Sequence, residues 1–185
     1  MKRHGIGSRN QLTADGRAFS VQTTLLPGEA GSPTVAAAEA LAAGYFAFLR
    51  RLTGGLVTTV GAADGLVLRL RGLPVPLLAF EQAGEVPEPE GAAVGYAITG
   101  GLLLRRGVRG SRFIFRVARA GGALRATVDL EEFAPAMLAL PGGRALYRLV
   151  QGPLHAWAGR RFLRALRRQP QRLQGTGRMQ RELGP

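Results

Sequence analysis

Residues 144–168, near the C-terminus, read RALYRLVQGPLHAWAGRRFLRALRR, and this stretch decides how the rest of the chain is arranged. Its apolar residues recur at spacings of three and four, which is typical of a helix with one buried face. They are Leu146, Leu149, Val150, Pro153, Leu154, Trp157, Ala158, Phe162, Ala165 and Leu166. Most of the arginines fall outside this stripe. We therefore expect a helix that buries the stripe, Trp157 included, and exposes its arginines.

Gly152-Pro153 interrupts the helical pattern near its middle. Proline has no backbone N–H, and its ring clashes with the carbonyl four residues earlier. The sequence therefore predicts either a kinked helix or a short helix followed by a long one.

A second helix is predicted after Ser32-Pro33, because serine is a favoured N-cap and proline is favoured at the first helical position. Gly54-Gly55 predicts its end. The residues between carry an apolar stripe at helical spacing, made of Val35, Ala38, Leu41, Ala42, Tyr45, Phe46 and Leu49.

Most of the remaining chain consists of short β-favouring runs separated by glycine or proline, which predicts strands. In residues 111–119, alternation places Phe113, Phe115 and Val117 on one face and Arg116 on the other. The acidic, proline-rich residues 81–91 are predicted to form an exposed loop. The other predicted strands are residues 18–26, 56–60, 66–71, 93–105 and 123–131, while residues 73–80, with Pro74 and Pro76, form either an edge strand or an extended connection. Together these patterns predict an α+β fold, with an antiparallel sheet covered by the C-terminal helix.

Length and composition predict one domain over residues 17–168, preceded by a flexible leader over 1–16 and followed by a disordered tail over 169–185. No apolar run is long enough to cross a membrane, and no signal peptide is evident. The chain has no cysteine, which excludes disulfides, thiolate metal sites and cysteine catalysis. These features favour a cytoplasmic protein.

The net charge of +13 is concentrated at the C-terminal end, where residues 144–185 hold ten arginines and one acid, a net charge of +9. Such a segment can bind anions, and an anionic membrane or a nucleic acid could be its partner. An alternative is a solvated surface helix, since 24 of the 25 basic residues are arginine and a compositional bias also produces that pattern. The candidate anion-binding residues are Arg160, Arg161, Arg164, Arg167 and Arg168.

The order of these elements, from Phe19 to Arg168, resembles the START-like or SRPBCC superfamily, which has the helix-grip architecture. The stretches that carry the likeness are Val94–Arg105, with its Gly100-Gly101, and Leu146–Arg168. The resemblance implies a curved antiparallel sheet wrapped around the long C-terminal helix. It also implies that the space between them holds a small apolar or amphipathic ligand. Relatives by this resemblance include enzymes of the polyketide cyclase and dehydratase type.

The candidate ligand-binding residues are aromatic residues and a histidine that the sheet and the helix would contribute: Tyr96, Phe113, Phe115, Tyr147, His155 and Trp157. They line a pocket if the helix stands off the sheet, and they are ordinary core or surface residues if the helix packs down.

The sequence indicates no catalytic set, metal site or cofactor. Asp129, Glu131 and Glu132 cluster at a strand end, but no nearby histidine completes a metal site, and pairing with arginines is favoured. The glycine-rich turns match neither a phosphate loop nor a dinucleotide fingerprint. The function predicted is therefore binding of a small hydrophobic or amphipathic molecule. Catalysis and the oligomeric state stay open. The alternative is an interaction protein that docks on anionic membrane or nucleic acid through its Arg-rich helix.

Overall fold

The computed structural model describes residues 5–27, 31–62, 65–81 and 84–173. Across those ranges, nine strands form one curved antiparallel sheet, which the C-terminal helix covers in part. This confirms the predicted α+β fold. The strands are β1 Gly7–Leu12, β2 Ala18–Leu26, β3 Val57–Ala62, β4 Gly65–Leu70, β5 Leu78–Glu81, β6 Gly84–Val86, β7 Gly91–Gly100, β8 Arg112–Ala120 and β9 Ala123–Phe133. The helices are α1 Val35–Leu52, α2 Gly143–Leu146 and α3 Gly152–Arg168.

The strands lie in the order β1-β2-β9-β8-β7-β5-β4-β3, and β6 pairs with the first half of β7. Helix α1 packs against β3, β7 and β8, while α3 packs against β2 and the edge strand β1. The two helices therefore divide the same face of the sheet between them.

Aromatic rings fill the space between α1 and the sheet. Tyr45 and Phe46 project from α1, and neighbouring centroids in the cluster lie 4.8–6.3 Å apart, most of them edge to face. Such contacts add to the burial of apolar area that stabilises a core. The other members are Phe80, Tyr96, Phe113, Phe115 and, from α3, Phe162.

Helix α1 is close to its prediction, and its buried face contains Leu41, Tyr45 and Phe46. Its N-cap is Thr34 rather than Ser32, because the Thr34 hydroxyl accepts a hydrogen bond from the Ala37 amide at 3.2 Å. The helix ends before Gly54 and Gly55, whose φ angles of 61° and 83° lie in the left-handed region that glycine tolerates.

The leader and the acidic loop contain strands that the sequence pattern did not predict. Residues 7–12, expected to be flexible, form β1 and pair with β2 from Gly7 opposite Thr23 to Leu12 opposite Ala18. An exposed edge strand buries neither face, so it leaves no alternation in the sequence. For the same reason β6, at Gly84–Val86, was expected to be loop.

At the other end of the chain, Pro170–Leu173 forms a short 3₁₀ turn that buries Leu173. The rest of the predicted tail, residues 174–185, lies outside the described residues, as do residues 1–4.

The interruption at Gly152-Pro153 is confirmed, and it takes the form of a π turn. Residues Tyr147–Gln151 join α2 to α3, and the Gly152 amide donates to the carbonyl of Tyr147, five residues earlier. Because Pro153 has no N–H, the ordinary helical ladder cannot continue through this point. We call α2, the π turn and α3 together the C-terminal helix, residues 143–168.

The predicted buried stripe of the C-terminal helix is wrong in its first half. Leu146, Leu149, Leu154 and Trp157 are exposed, and Ala156 and Gly159, which lie outside the predicted stripe, are buried beside Ala158. In the second half, Ala165 is exposed as well. The π turn rotates the residues before it away from the stripe. After the π turn, the helix approaches β2 closely at Gly159. A pattern built on large apolar residues does not mark this glycine as a buried position.

Candidate ligand-binding site

A pocket of about 430 Å³ lies between the edge strand β1 and the C-terminal helix. Its size falls within the range of small-molecule sites. One wall is a strand and the other is a helix, so its lining residues are held by regular structure. They are Asn10, Gln11, Leu12, Tyr147, Arg148, Gly152, Pro153, Ala156 and Arg160.

A buried polar network supports this part of the sheet. The Ser20 hydroxyl donates to Asn10 Oδ1 at 2.6 Å, and Gln22 Nε2 donates to Ser20 Oγ at 2.7 Å. Gln22 lies directly under α3, where a Cβ on Gly159 would stand only 2.5 Å from Gln22 Oε1. The absence of a side chain at Gly159 therefore lets the helix descend onto β2 beside the pocket.

Among the described residues, the charged groups that line the pocket are two arginines, Arg148 and Arg160, and none is acidic. Arg160 Nη1 also donates to Ser8 Oγ on β1 at 3.4 Å. Burial raises the pKa of Tyr147, so its hydroxyl remains protonated and available as a donor. Leu12, Pro153 and Ala156 add apolar surface. The arrangement can hold a molecule that carries both an apolar part and an anionic group.

Three of the aromatic candidates lie together, but away from this pocket. Phe113 and Phe115 are buried on β8, and Tyr96 on β7 stands 6.0 Å from Phe115 between centroids. Helix α1 covers them with Tyr45 and Phe46, so their rings pack in the core. Of the six predicted ligand-binding residues, Tyr147 alone lines the pocket between β1 and the C-terminal helix.

His155 and Trp157 point in different directions from the C-terminal helix. The His155 ring stands edge-on to Phe133 of β9, with 6.2 Å between centroids. Trp157 is 42% exposed, and the Arg161 guanidinium lies 5.3 Å from its ring centroid. The structure therefore does not bring these two residues into one site.

His155 makes stability depend on pH. Burial lowers its pKa from the ordinary value of 6.5, so the fold favours the neutral ring. This contribution is complete above pH 6.5 and is lost as the pH falls toward the lower folded pKa, because protonation then favours the unfolded chain. We expect the difference in unfolding free energy between wild type and His155→Gln to shrink from about pH 7.5 to about pH 5. Urea denaturation at several pH values measures it, and a constant difference would contradict the assignment.

The acidic cluster has arginine partners. Arg116 on β8 binds Asp129, and its Nη2 donates to Glu131 Oε1 at 2.7 Å. Glu132 is held separately by Arg17, at 3.0 Å. Within the described ranges, no group of three or more histidine, aspartate or glutamate residues is arranged to hold a metal.

The candidate anion-binding arginines do not share one location. Arg160 faces β1 and lines the pocket, whereas Arg161, Arg164, Arg167 and Arg168 lie on exposed parts of α3. A separate groove of about 720 Å³ lies beyond the end of β7 and includes Arg105 and Arg106, with Leu102, Leu104, Val108 and other loop residues. Its walls are mainly loops.

Sequence reasoning missed Asn10, Gln11 and Arg148 as site residues. Asn10 and Gln11 belong to a strand that has no periodic pattern, and their proximity to the helix arises only when β1 pairs with β2. Arg148 belongs to the same basic helix, but it lies outside the predicted anion-binding cluster of residues 160–168.

In the described part of the chain, no helix has the length and apolar character needed to cross a membrane. The sequence matches no protein-family model and no curated protein. The structure is similar to two solved structures of CalU16 from Micromonospora echinospora. The solution structure has 8% identity and a TM-score of 0.40, with 99% of each chain covered, and the crystal structure has 11% identity and 0.39, with 98% of each covered. Ms6760 from Mycobacterium smegmatis has 14% identity and a TM-score of 0.42, over 87% of this chain and 96% of that one.

Proposed function

We propose that this protein binds a small amphipathic anion in the pocket between β1 and the C-terminal helix. The observation that carries the proposal is that Arg148 and Arg160 line the pocket together with the apolar Leu12, Pro153 and Ala156, while none of its described lining residues is acidic. The START-like resemblance implies a ligand between sheet and helix, and the proposed pocket lies between the edge strand β1 and the C-terminal helix. We also propose that the chain belongs to that superfamily.

The residues would divide the work between the two ends of the ligand. The guanidinium groups of Arg148 and Arg160 would hold the anionic group by charge-assisted hydrogen bonds, and Tyr147 would donate a third. Leu12, Pro153 and the methyl group of Ala156 would contact the apolar part. No nucleophile or acid–base pair belongs to this set, so the proposal is binding without catalysis.

Isothermal titration with decanoate tests the proposal, and decanol serves as the uncharged probe. We expect decanoate to bind, and Arg148→Gln or Arg160→Gln to weaken binding by about 10- to 100-fold each, since a hydrogen bond to a charged group contributes about 1.5–3 kcal/mol. Decanol should bind wild type and variants alike.

Arg106→Gln is the matched control, because Arg106 belongs to the separate groove. It should leave decanoate affinity unchanged. If Arg106→Gln weakens binding while Arg148→Gln and Arg160→Gln do not, the ligand occupies the groove beyond β7 and the proposed pocket is wrong.

A further inference from the structure

Four large apolar side chains are exposed along the outer side of the C-terminal helix. Leu146, Leu149, Leu154 and Trp157 have 46%, 77%, 57% and 42% of their surface exposed. Their spacings are three, five and three residues, and the step of five spans the π turn, where hydrogen bonds join residues five apart. The four residues therefore form one continuous stripe, which we call the apolar stripe. Contiguous exposed apolar surface of this kind marks an interaction site.

The apolar stripe runs directly into positive charge. Arg161, Arg164 and Arg168 follow Trp157 at helical spacing and are exposed on the same side. The contact between Arg161 and the Trp157 ring joins the two parts. Residues 133–181 contain no aspartate or glutamate, and neither does the adjacent strand β1. The whole surface is therefore apolar and cationic, with no acid among these segments to neutralise it.

We propose that this side of the C-terminal helix docks on an anionic lipid bilayer. Leu149, Leu154 and Trp157 would enter the headgroup region, and Arg161, Arg164 and Arg168 would bind lipid phosphates. An amphipathic surface with apolar and basic residues gains from both contacts only at such an interface. A second copy of this chain would bring like charges together, and nucleic acid would leave the four apolar side chains in water. The inference does not depend on the proposed ligand.

Trp157 is the only tryptophan of the chain, so its fluorescence reports on this surface directly. The full-length protein is titrated with vesicles of phosphatidylcholine, with and without phosphatidylserine. We expect a blue shift of the emission with the anionic vesicles, and quenching by brominated lipid. With phosphatidylcholine alone we expect neither, because the apolar stripe needs the electrostatic attraction to reach the bilayer.

Two sets of variants separate the apolar from the ionic contribution. The double variant Leu149→Gln, Leu154→Gln should weaken vesicle binding by about tenfold or more, the loss expected from two leucines no longer buried. The triple variant Arg161→Gln, Arg164→Gln, Arg168→Gln should weaken it on the order of 100-fold, given about 1 kcal/mol for each basic residue near an anionic surface. These side chains are exposed, so circular dichroism should show unchanged folding.

Leu56→Gln is the control for the leucines, since Leu56 is 58% exposed after α1, and Arg125→Gln on β9 is the control for charge. Neither should change vesicle binding. The proposal is overturned if anionic vesicles leave the Trp157 emission unchanged, if the control variants lose as much binding, or if the emission instead shifts with protein concentration or with duplex DNA. Decanoate affinity should be unchanged in the leucine double variant, so failure here is distinguishable from failure of the proposed ligand site.

Discussion

Phe162→Ala should lower the free energy of unfolding by about 3–5 kcal/mol, the usual cost of removing a buried aromatic side chain. Phe162 is 5% exposed, and its ring stands edge-on to Tyr45 of α1 at 5.2 Å between centroids. It also lies 5.6 Å from Phe48 between centroids, and a Cβ added at Gly44 of α1 would stand 3.7 Å from its ring. The truncation would leave a cavity where α3 meets α1, because each helix is also packed on the sheet and cannot fully close the gap.

Trp157→Ala on the same helix is the comparison. Trp157 is 42% exposed and makes a cation–π contact with Arg161, so we expect a cost of about 1 kcal/mol or less. Urea denaturation followed by circular dichroism measures both variants, since fluorescence is lost with the tryptophan. Equal costs, or a larger cost for Trp157→Ala, would mean that the helix presents its other side to the sheet.

Arg116→Ala should also destabilise the fold strongly, by about 3 kcal/mol at neutral pH, the lower end of the range for breaking a buried ion pair. Arg116 binds Asp129, Glu131 and Glu88, and the side chains of these four residues are at most 31% exposed. Burial already raises the pKa of Asp129, and the charge of Arg116 opposes that effect. Without the guanidinium, three neighbouring carboxylates would repel one another on the outer face of the sheet.

The pH dependence of this variant has a definite sign. Removing Arg116 raises the pKa of Asp129 further, so the cost is largest where the carboxylates are charged and shrinks as the pH falls toward about 4. Asp129→Asn in the Arg116→Ala background should recover part of the loss, because it removes the most buried of the three charges. Arg125→Ala, at an exposed position on β9, is the control and should change stability by about 0.5 kcal/mol or less. A pH-independent cost would contradict the electrostatic explanation.

Local patterns predicted most of the regular structure. The strand Ala18–Leu26 was predicted with its observed bounds, and the alternation in β8 correctly separated Phe113 and Phe115 from Arg116. These predictions succeed because successive side chains of a strand point to opposite faces, so the face covered by the helices shows its apolar residues with a period of two. The prolines at 74 and 76 shortened β5 to Leu78–Glu81, since proline donates no ladder hydrogen bond.

The candidate site was much less predictable. The pocket requires β1, which has no pattern, to pair with β2 and so reach Arg148 and Arg160 on a helix about 140 residues later. The aromatic candidates of the sheet, Tyr96, Phe113 and Phe115, lie together, but the sequence left open whether they lined a cavity or a core. Helix α1 decides this by placing Tyr45 and Phe46 against Phe113 and Phe115.

The sequence alone determined the α+β class, the helix at residues 35–52, the interruption at Gly152-Pro153 and the basic character of the C-terminal helix, because each depends on spacing and composition within one segment. Only the tertiary structure decided which side of that helix faces the sheet. The π turn changes the helical register, and Gly159 permits a contact with Gln22 that no large side chain would allow. Those two local features turn Leu149, Leu154 and Trp157 toward solvent and leave Phe162, Leu163 and Leu166 in the core.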